Sequence, residues 1–236
     1  MTDTGGNIMY QKLTEQELSK LNIDSVTPVL GKIIVLNGAP RSGKSSIASV
    51  IQQTFDGVWM SMGVDQFMSM TPTKLLPGIG LRPGGERPDL ESTISVIYYA
   101  LYESIAVQSR LGLNVVVDVG HHDNYSVPRG ILFDCARILE GLPALLVGIR
   151  CPLDEIMRRR KLTGYNGYDE SGSIPTPILL WQESVHSPGI YDFEVDTSLH
   201  SSEECAALIN NRIFDDSPVT AFHRLATFIE NGDNNG

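Results

Sequence analysis

One octet constrains the fold of this chain more than any other feature. Gly38, Ala39, Pro40, Arg41, Ser42, Gly43, Lys44 and Ser45 fit the pattern G-x-x-x-x-G-K-[ST], that of a phosphate-binding loop, or P-loop. Residues 33–37 before it form the apolar, β-rich run Ile-Ile-Val-Leu-Asn, and residues 46–53 after it suit a helix. This strand–loop–helix setting is what the pattern needs in order to work. Gly38 and Gly43 let the backbone curl so that successive N–H groups face inward, and the new helix adds the positive end of its dipole. Lys44 is placed to reach the β- and γ-phosphates of ATP, and the Ser45 hydroxyl to ligate Mg²⁺. The nucleotide-binding set is therefore the octet together with Ser46. A glycine-rich turn matching by chance is the bland alternative, and the flanking elements argue against it.

The rest of the chain supplies the sheet that such a loop requires. Apolar runs at 58–62, 114–118 and 144–150 read as further buried strands, and the alternating run 191–196 as the last. Helical patterns lie between them. The longest, 90–111, spaces Ile94, Ile97, Leu101 and Ile105 near 3.6 residues and stops at Gly112. Pro128 is expected in the first turn of a helix running to Glu140. Residues 151–161 read as a helix with a basic end, residues 174–185 as another, and Ser202 as the cap of a helix running through Asn211. Gly57 is expected to cap the helix after the P-loop. The fold class that follows is α/β: a three-layer P-loop NTPase of the nucleotide and shikimate kinase type. It has a mainly parallel five-stranded sheet and an arginine-bearing lid. Residues 1–31 read as a leader with a short helix, 32–214 as the kinase domain, and 215–236 as a short helix with a disordered end.

Polar residues at predicted strand ends are the site candidates, because open α/β sheets bind ligands there. Asp65 follows the second strand directly, and an irregular stretch, 66–90, follows Asp65. That stretch reads as a substrate cover or as a surface insertion. Asp118 ends the third strand, where a Walker-B-like carboxylate holds Mg²⁺, often through water; capping of the next turn is the alternative. His121 and His122 are adjacent, which is not metal-site spacing. His122 is a candidate for hydrogen bonding to substrate, set against a plain polar loop. The cations Arg158, Arg159, Arg160 and Lys161 stand where a lid arginine would neutralise a phosphoryl group in flight, although they would also complement a helix C-terminus. Met60, Met62, Met68 and Met70 suit either an apolar acceptor pocket or ordinary core.

Composition narrows the partners. The formal charge is −10, from 28 acidic against 18 basic side chains. A general nucleic-acid or anionic-membrane binder needs a basic face, so neither is expected. No apolar run reaches membrane-spanning length. Three scattered cysteines without a C-x-x-C pair suit reduced thiols in the cytoplasm.

Several of these pieces together resemble the chloramphenicol phosphotransferase family of P-loop kinases. They are the P-loop, Gly63-Val-Asp65, the Val-Val-Val-Asp118 strand, and Val147-Gly-Ile-Arg-Cys151 before the lid. Val185-His186 with the block Tyr191-Asp-Phe-Glu-Val-Asp-Thr-Ser198 completes the set. The resemblance implies transfer of the γ-phosphoryl group of ATP to a hydroxyl of a small molecule, such as an antibiotic. It implies that Asp65 is the general base and makes Arg159 the match to the lid arginine. Thr163 stands where the family lid usually carries another arginine, and Asp118-Val-Gly-His-His-Asp replaces paired acids. These departures touch the acceptor side, so chloramphenicol itself is not implied. A kinase of a nucleotide sugar or polar metabolite, and a non-catalytic NTP sensor, are the competing readings. The sensor has no use for an acceptor base at 65.

Overall fold

The structure is a computed structural model that describes residues 29–73, 82–164, 172–215 and 217–228. The expected leader helix and the C-terminal end lie outside the described residues. Five strands, β1 (Ile33–Asn37), β2 (Trp59–Gly63), β3 (Asn114–Val119), β4 (Ala144–Arg150) and β5 (Phe193–Asp196), form one sheet in the order β2-β3-β1-β4-β5. Every pairing is parallel. Parallel neighbours need crossovers, and the helices between strands provide them.

The central strand shows why the sequence reads as it does. Ile33, Ile34, Val35 and Leu36 are each 1% exposed or less. Side chains alternate across a strand, so Ile33 and Val35 enter one apolar layer and Ile34 and Leu36 the other. A strand covered on both faces is therefore apolar throughout. Each such side chain stabilises the fold by about 1.5–3 kcal/mol. The first layer is covered by α3 (Pro88–Arg110), α4 (Ile131–Ile138) and α8 (Ala221–Ala226). The second is covered by α1 (Lys44–Thr54) and α7 (Ser202–Phe214). The remaining helices α2 (Val64–Ser69), α5 (Leu153–Leu162) and α6 (Thr176–Ser184) contribute to the C-terminal end of the sheet, where the cleft opens.

Several boundaries differ from expectation. Residues 66–69, expected to open the irregular stretch, lie instead in helix α2. Pro128 lies outside α4, which begins after Gly130, a residue in the left-handed region at φ 63°. Asp123 accepts from the Arg129 and Gly130 amides and so holds that corner. The α7 cap is Ser201, not Ser202: its hydroxyl accepts from the Glu204 amide while the Glu204 carboxylate accepts from the Ser201 amide. The α1 helix ends at Thr54 with Phe55 as its C-cap, and Gly57, at φ 91°, turns the chain three residues past the helix. Phe222 and Leu225 of α8 are buried in the first layer, so that helix is bound into the same core.

Candidate active site

The P-loop leaves the C-terminal end of β1, in the middle of the sheet. A Cβ at Gly38 would stand 2.6 Å from the Ile149 carbonyl oxygen of β4, so only glycine lets the chain pass there. Gly43 is left-handed at φ 100°, and Arg41, a non-glycine, stands at φ 70°. Holding such a residue costs about 1–3 kcal/mol, a strain that clusters at ligand-binding turns. The N-terminus of α1 has no side-chain cap and no acid in its first turn. Its leading N–H groups and dipole are left to an anion.

Three side chains converge beside this cradle. The Lys44 ammonium is buried, donates to the Ala39 carbonyl at 3.0 Å and lies 3.4 Å from Asp118 Oδ1. The Ser45 hydroxyl donates to Asp118 Oδ2. In register, Asp118 faces Leu36 of β1 on one side and Gly63 of β2 on the other. The paired hard oxygens of Ser45 and Asp118 suit Mg²⁺, which keeps several waters and takes further oxygens from phosphates.

A cleft of about 1200 Å³ opens over these residues. Of the predicted nucleotide set, Gly38, Ala39, Pro40, Arg41, Gly43, Lys44, Ser45 and Ser46 line it. Ser42 does not; it is fully buried, and its carbonyl accepts the Thr197 hydroxyl at 2.6 Å. Asp65 lines the cleft from the first turn of α2, two residues past the last residue of β2. Its carboxylate has no hydrogen-bond or ion-pair partner among the described residues. Arg159 lines the cleft from α5, its Nε donating to Glu155 at 2.7 Å and its Nη2 to the Thr197 carbonyl at 2.6 Å. His122 is buried behind the cleft wall, its ring 4.8 Å from that of Trp181 and 4.4 Å from that of Tyr125. Of the four methionines only Met62 lines the cleft. A smaller cavity of about 560 Å³ lies at the other end of the sheet, beside Leu30, Ala144 and Phe222.

The Chloramphenicol phosphotransferase-like protein family matches residues 31–214. The chain belongs to this family. A Mycobacterium tuberculosis protein (strain ATCC 25618 / H37Rv) named as an O-phosphotransferase is 26% identical over 211 residues, covering 83% of this chain and 88% of its own. Among solved structures, the M. tuberculosis APS kinase CysC in complex with AMPPNP and APS superposes with a TM-score of 0.54 at 15% identity. It covers 80% of this chain and 100% of its own. The Acinetobacter baumannii shikimate kinase in complex with shikimate gives 0.52 at 9% identity, covering 79% and 94%. At these identities the structural likeness speaks for the fold, that of P-loop kinases.

In this family member several site residues escape a sequence reading. Thr197 joins Arg159 to the P-loop: its hydroxyl accepts from Arg159 Nη1 at 3.0 Å while donating to Ser42. Tyr98 lines the cleft from α3 yet is only 3% exposed. Burial first, then the fields of Tyr125, Cys135, Asp65 and Asp118, hold its phenol protonated well above the ordinary range. Trp181 packs over Gly120, where a Cβ would stand 2.9 Å from its ring. Arg82 also lines the cleft.

Asn37, the last residue of β1, ties the surroundings together. Its amide donates to the Val185 carbonyl at 2.8 Å and to the Tyr191 hydroxyl at 2.9 Å, and its carbonyl accepts from the His121 amide at 2.7 Å. The His121 ring meets the Tyr102 hydroxyl at 2.8 Å. Burial, with His122 alongside, pushes His121 down to about 3, so this ring is neutral. Asn37 precedes the glycine of the motif, and that position was the available signal; Thr197 stood in the block shared with the family but with no role attached to it, and nothing local marked Tyr98.

Proposed function

We propose that this chain is an ATP-dependent O-phosphotransferase that moves the γ-phosphoryl group to a hydroxyl of a small molecule. One observation carries the reading: a single cleft is lined both by the phosphate cradle and by the unpartnered carboxylate of Asp65. In this reading the P-loop amides and Lys44 hold the triphosphate. Ser45 and Asp118 would hold Mg²⁺, which would neutralise charge on the phosphate oxygens. Arg159, held beside the P-loop by Glu155 and Thr197, would neutralise charge on the transferring group. The acceptor oxygen attacks phosphorus in line, the bond to the β–γ bridging oxygen breaks, and ADP leaves with that electron pair. Asp65 takes the hydroxyl proton. A carboxylate is a weak base, but phosphoryl transfer needs mainly orientation and late proton removal. His122 acts through Trp181 by fixing the ring that walls the acceptor side. Three buried free cysteines suit a reducing compartment, here the cytoplasm.

The second enzyme reading, a kinase of a polar metabolite, gains from the methionines. With Met62 alone of the four at the cleft, the lining is not a Met-rich apolar pocket. The test is turnover with Mg-ATP over a panel of hydroxylated small molecules, chloramphenicol included, followed by mass spectrometry of the product. Asp65→Asn is expected to lower kcat about 10²–10⁴-fold and to keep ATP affinity within about twofold. Unchanged turnover in that variant sinks the assignment, and an NTP sensor would show no dependence on Asp65 at all.

A further inference from the structure

We propose that the acceptor carries an oxyanion, a carboxylate or a phosphate, and that Arg82 binds it while the acceptor hydroxyl faces Asp65. This rests on the phosphotransferase reading above. The chain as a whole is acidic, yet its cleft is not: Arg41, Lys44, Arg82, Arg159 and Arg160 line it against the carboxylates of Asp65 and Asp118. A triphosphate accounts for the cations of the P-loop and of α5. Arg82 belongs to neither. It enters from the segment before α3, on the acceptor side.

That segment is seated firmly. The Gly84 amide donates to the Asn124 carbonyl at 2.8 Å, and a Cβ on Gly84 would stand 3.3 Å from Leu180 of α6, the neighbour of Trp181. Gly85, at φ 67°, approaches so closely that a Cβ there would stand 2.8 Å from the Ser126 amide nitrogen. Ser126 is itself pinned from beneath by Glu91, fully buried on α3, which accepts from the Ser126 amide at 2.8 Å and from Arg129 Nη2 at 3.1 Å. Pro83, next to Arg82, is buried. The backbone that carries Arg82 is thus anchored to the wall of the acceptor half.

The arginines around it are paired: Arg87 with Asp89, Arg129 with Glu91, Arg158 and Arg159 with Glu155. Arg82 has no hydrogen-bond or ion-pair partner among the described residues. An unpaired guanidinium on a cleft wall can match a carboxylate or phosphate in two parallel bonds. On the acceptor side Asp65 is the other charged lining residue described, and it would repel an oxyanion unless a cation stood apart from it to take the charge.

The experiment compares matched acceptors: polyhydroxy acids with their methyl esters, and sugar phosphates with the parent sugars. Each is assayed with Mg-ATP on the full chain and on Arg82→Gln and Arg82→Lys, with ATP affinity and thermal melting as controls for folding. The anionic member of at least one pair is expected to be phosphorylated, with kcat/KM at least tenfold above its neutral partner. Arg82→Gln should raise the KM of the anionic member about 10–100-fold, at least tenfold more than for the neutral one, with partial recovery in Arg82→Lys. Whether the acid or the phosphate series responds identifies the oxyanion. Equal use of both members, or an anionic KM indifferent to Arg82→Gln, overturns the proposal and leaves the phosphotransferase reading standing. No phosphorylation of either series by an enzyme that binds ATP overturns the proposal too, while the phosphotransferase reading falls only if the wider panel above also yields no product.

Discussion

Thr197 is the residue at which α5 and the P-loop meet. Its single hydroxyl accepts from Arg159 and donates to the Ser42 carbonyl, while its own carbonyl takes a second bond from Arg159. Valine has nearly the same shape and no hydroxyl. Thr197→Val is therefore expected to raise the KM for ATP about 3–20-fold and to leave the acceptor KM within twofold, as steady-state kinetics will show. An unchanged KM for ATP would remove Thr197 from the nucleotide grip. Local patterns made other site positions legible. Lys44 and Ser45 sit in a contiguous motif, and Asp118 ends an apolar strand, so their convergence followed from sequence position alone. Thr197 meets Arg159 across 38 residues of chain, and no spacing rule announces that. Tyr98 was hidden differently: it lies on the buried stripe of α3 with Ile94, Leu101 and Ile105, where an aromatic looks like core.

Among the elements, α3 and the turn after β3 are joined by one buried carboxylate. Burial alone would raise the pKa of Glu91, but the Ser126 hydroxyl and amide, then Arg129, take it below its ordinary value. Glu91 is thus ionised, and its removal leaves the Ser126 amide and Arg129 without their acceptor. Glu91→Ala is expected to cost about 2–4 kcal/mol, measured as the urea midpoint at constant m-value. A shift below 0.5 kcal/mol would mean that the turn holds without it. The strands were legible because a sheet covered on both faces writes itself as uninterrupted apolar runs. The start of α4 was not, since proline at 128 imitates a helix entry while Asp123 and the left-handed Gly130 set the true one two residues beyond the next arginine. Ser201 was missed by one place, because Ser201 and Ser202 are both capping types and the partner Glu204 decides between them.

At the scale of the whole molecule, two histidines make the fold acid-sensitive. His121 falls from 6.5 to about 3 on folding, and His186 to about 4, through burial and then Arg150 and Lys44. Between about 4 and 6.5 the unfolded chain takes up protons that the folded one refuses. Stability therefore falls as pH drops below about 6.5, by up to about 1.4 kcal/mol per pH unit for the buried His121 ring and by less for the partly exposed His186. Denaturation midpoints at pH 7, 6 and 5 check this, and His121→Gln should flatten the slope; a slope equal to wild type would contradict it. The order of the strands has a further consequence. Asp65, Asp118 and the P-loop stand at the ends of β2, β3 and β1 in turn, and adjacent strands lie about 4.8 Å apart. The sheet is thus a ruler, with two strand spacings, roughly 10 Å, between the origin of Asp65 and that of the cradle. Loops can be redrawn to suit a new acceptor, but that interval is written in the hydrogen bonds of the sheet. Relatives that differ widely in what they phosphorylate should all keep it.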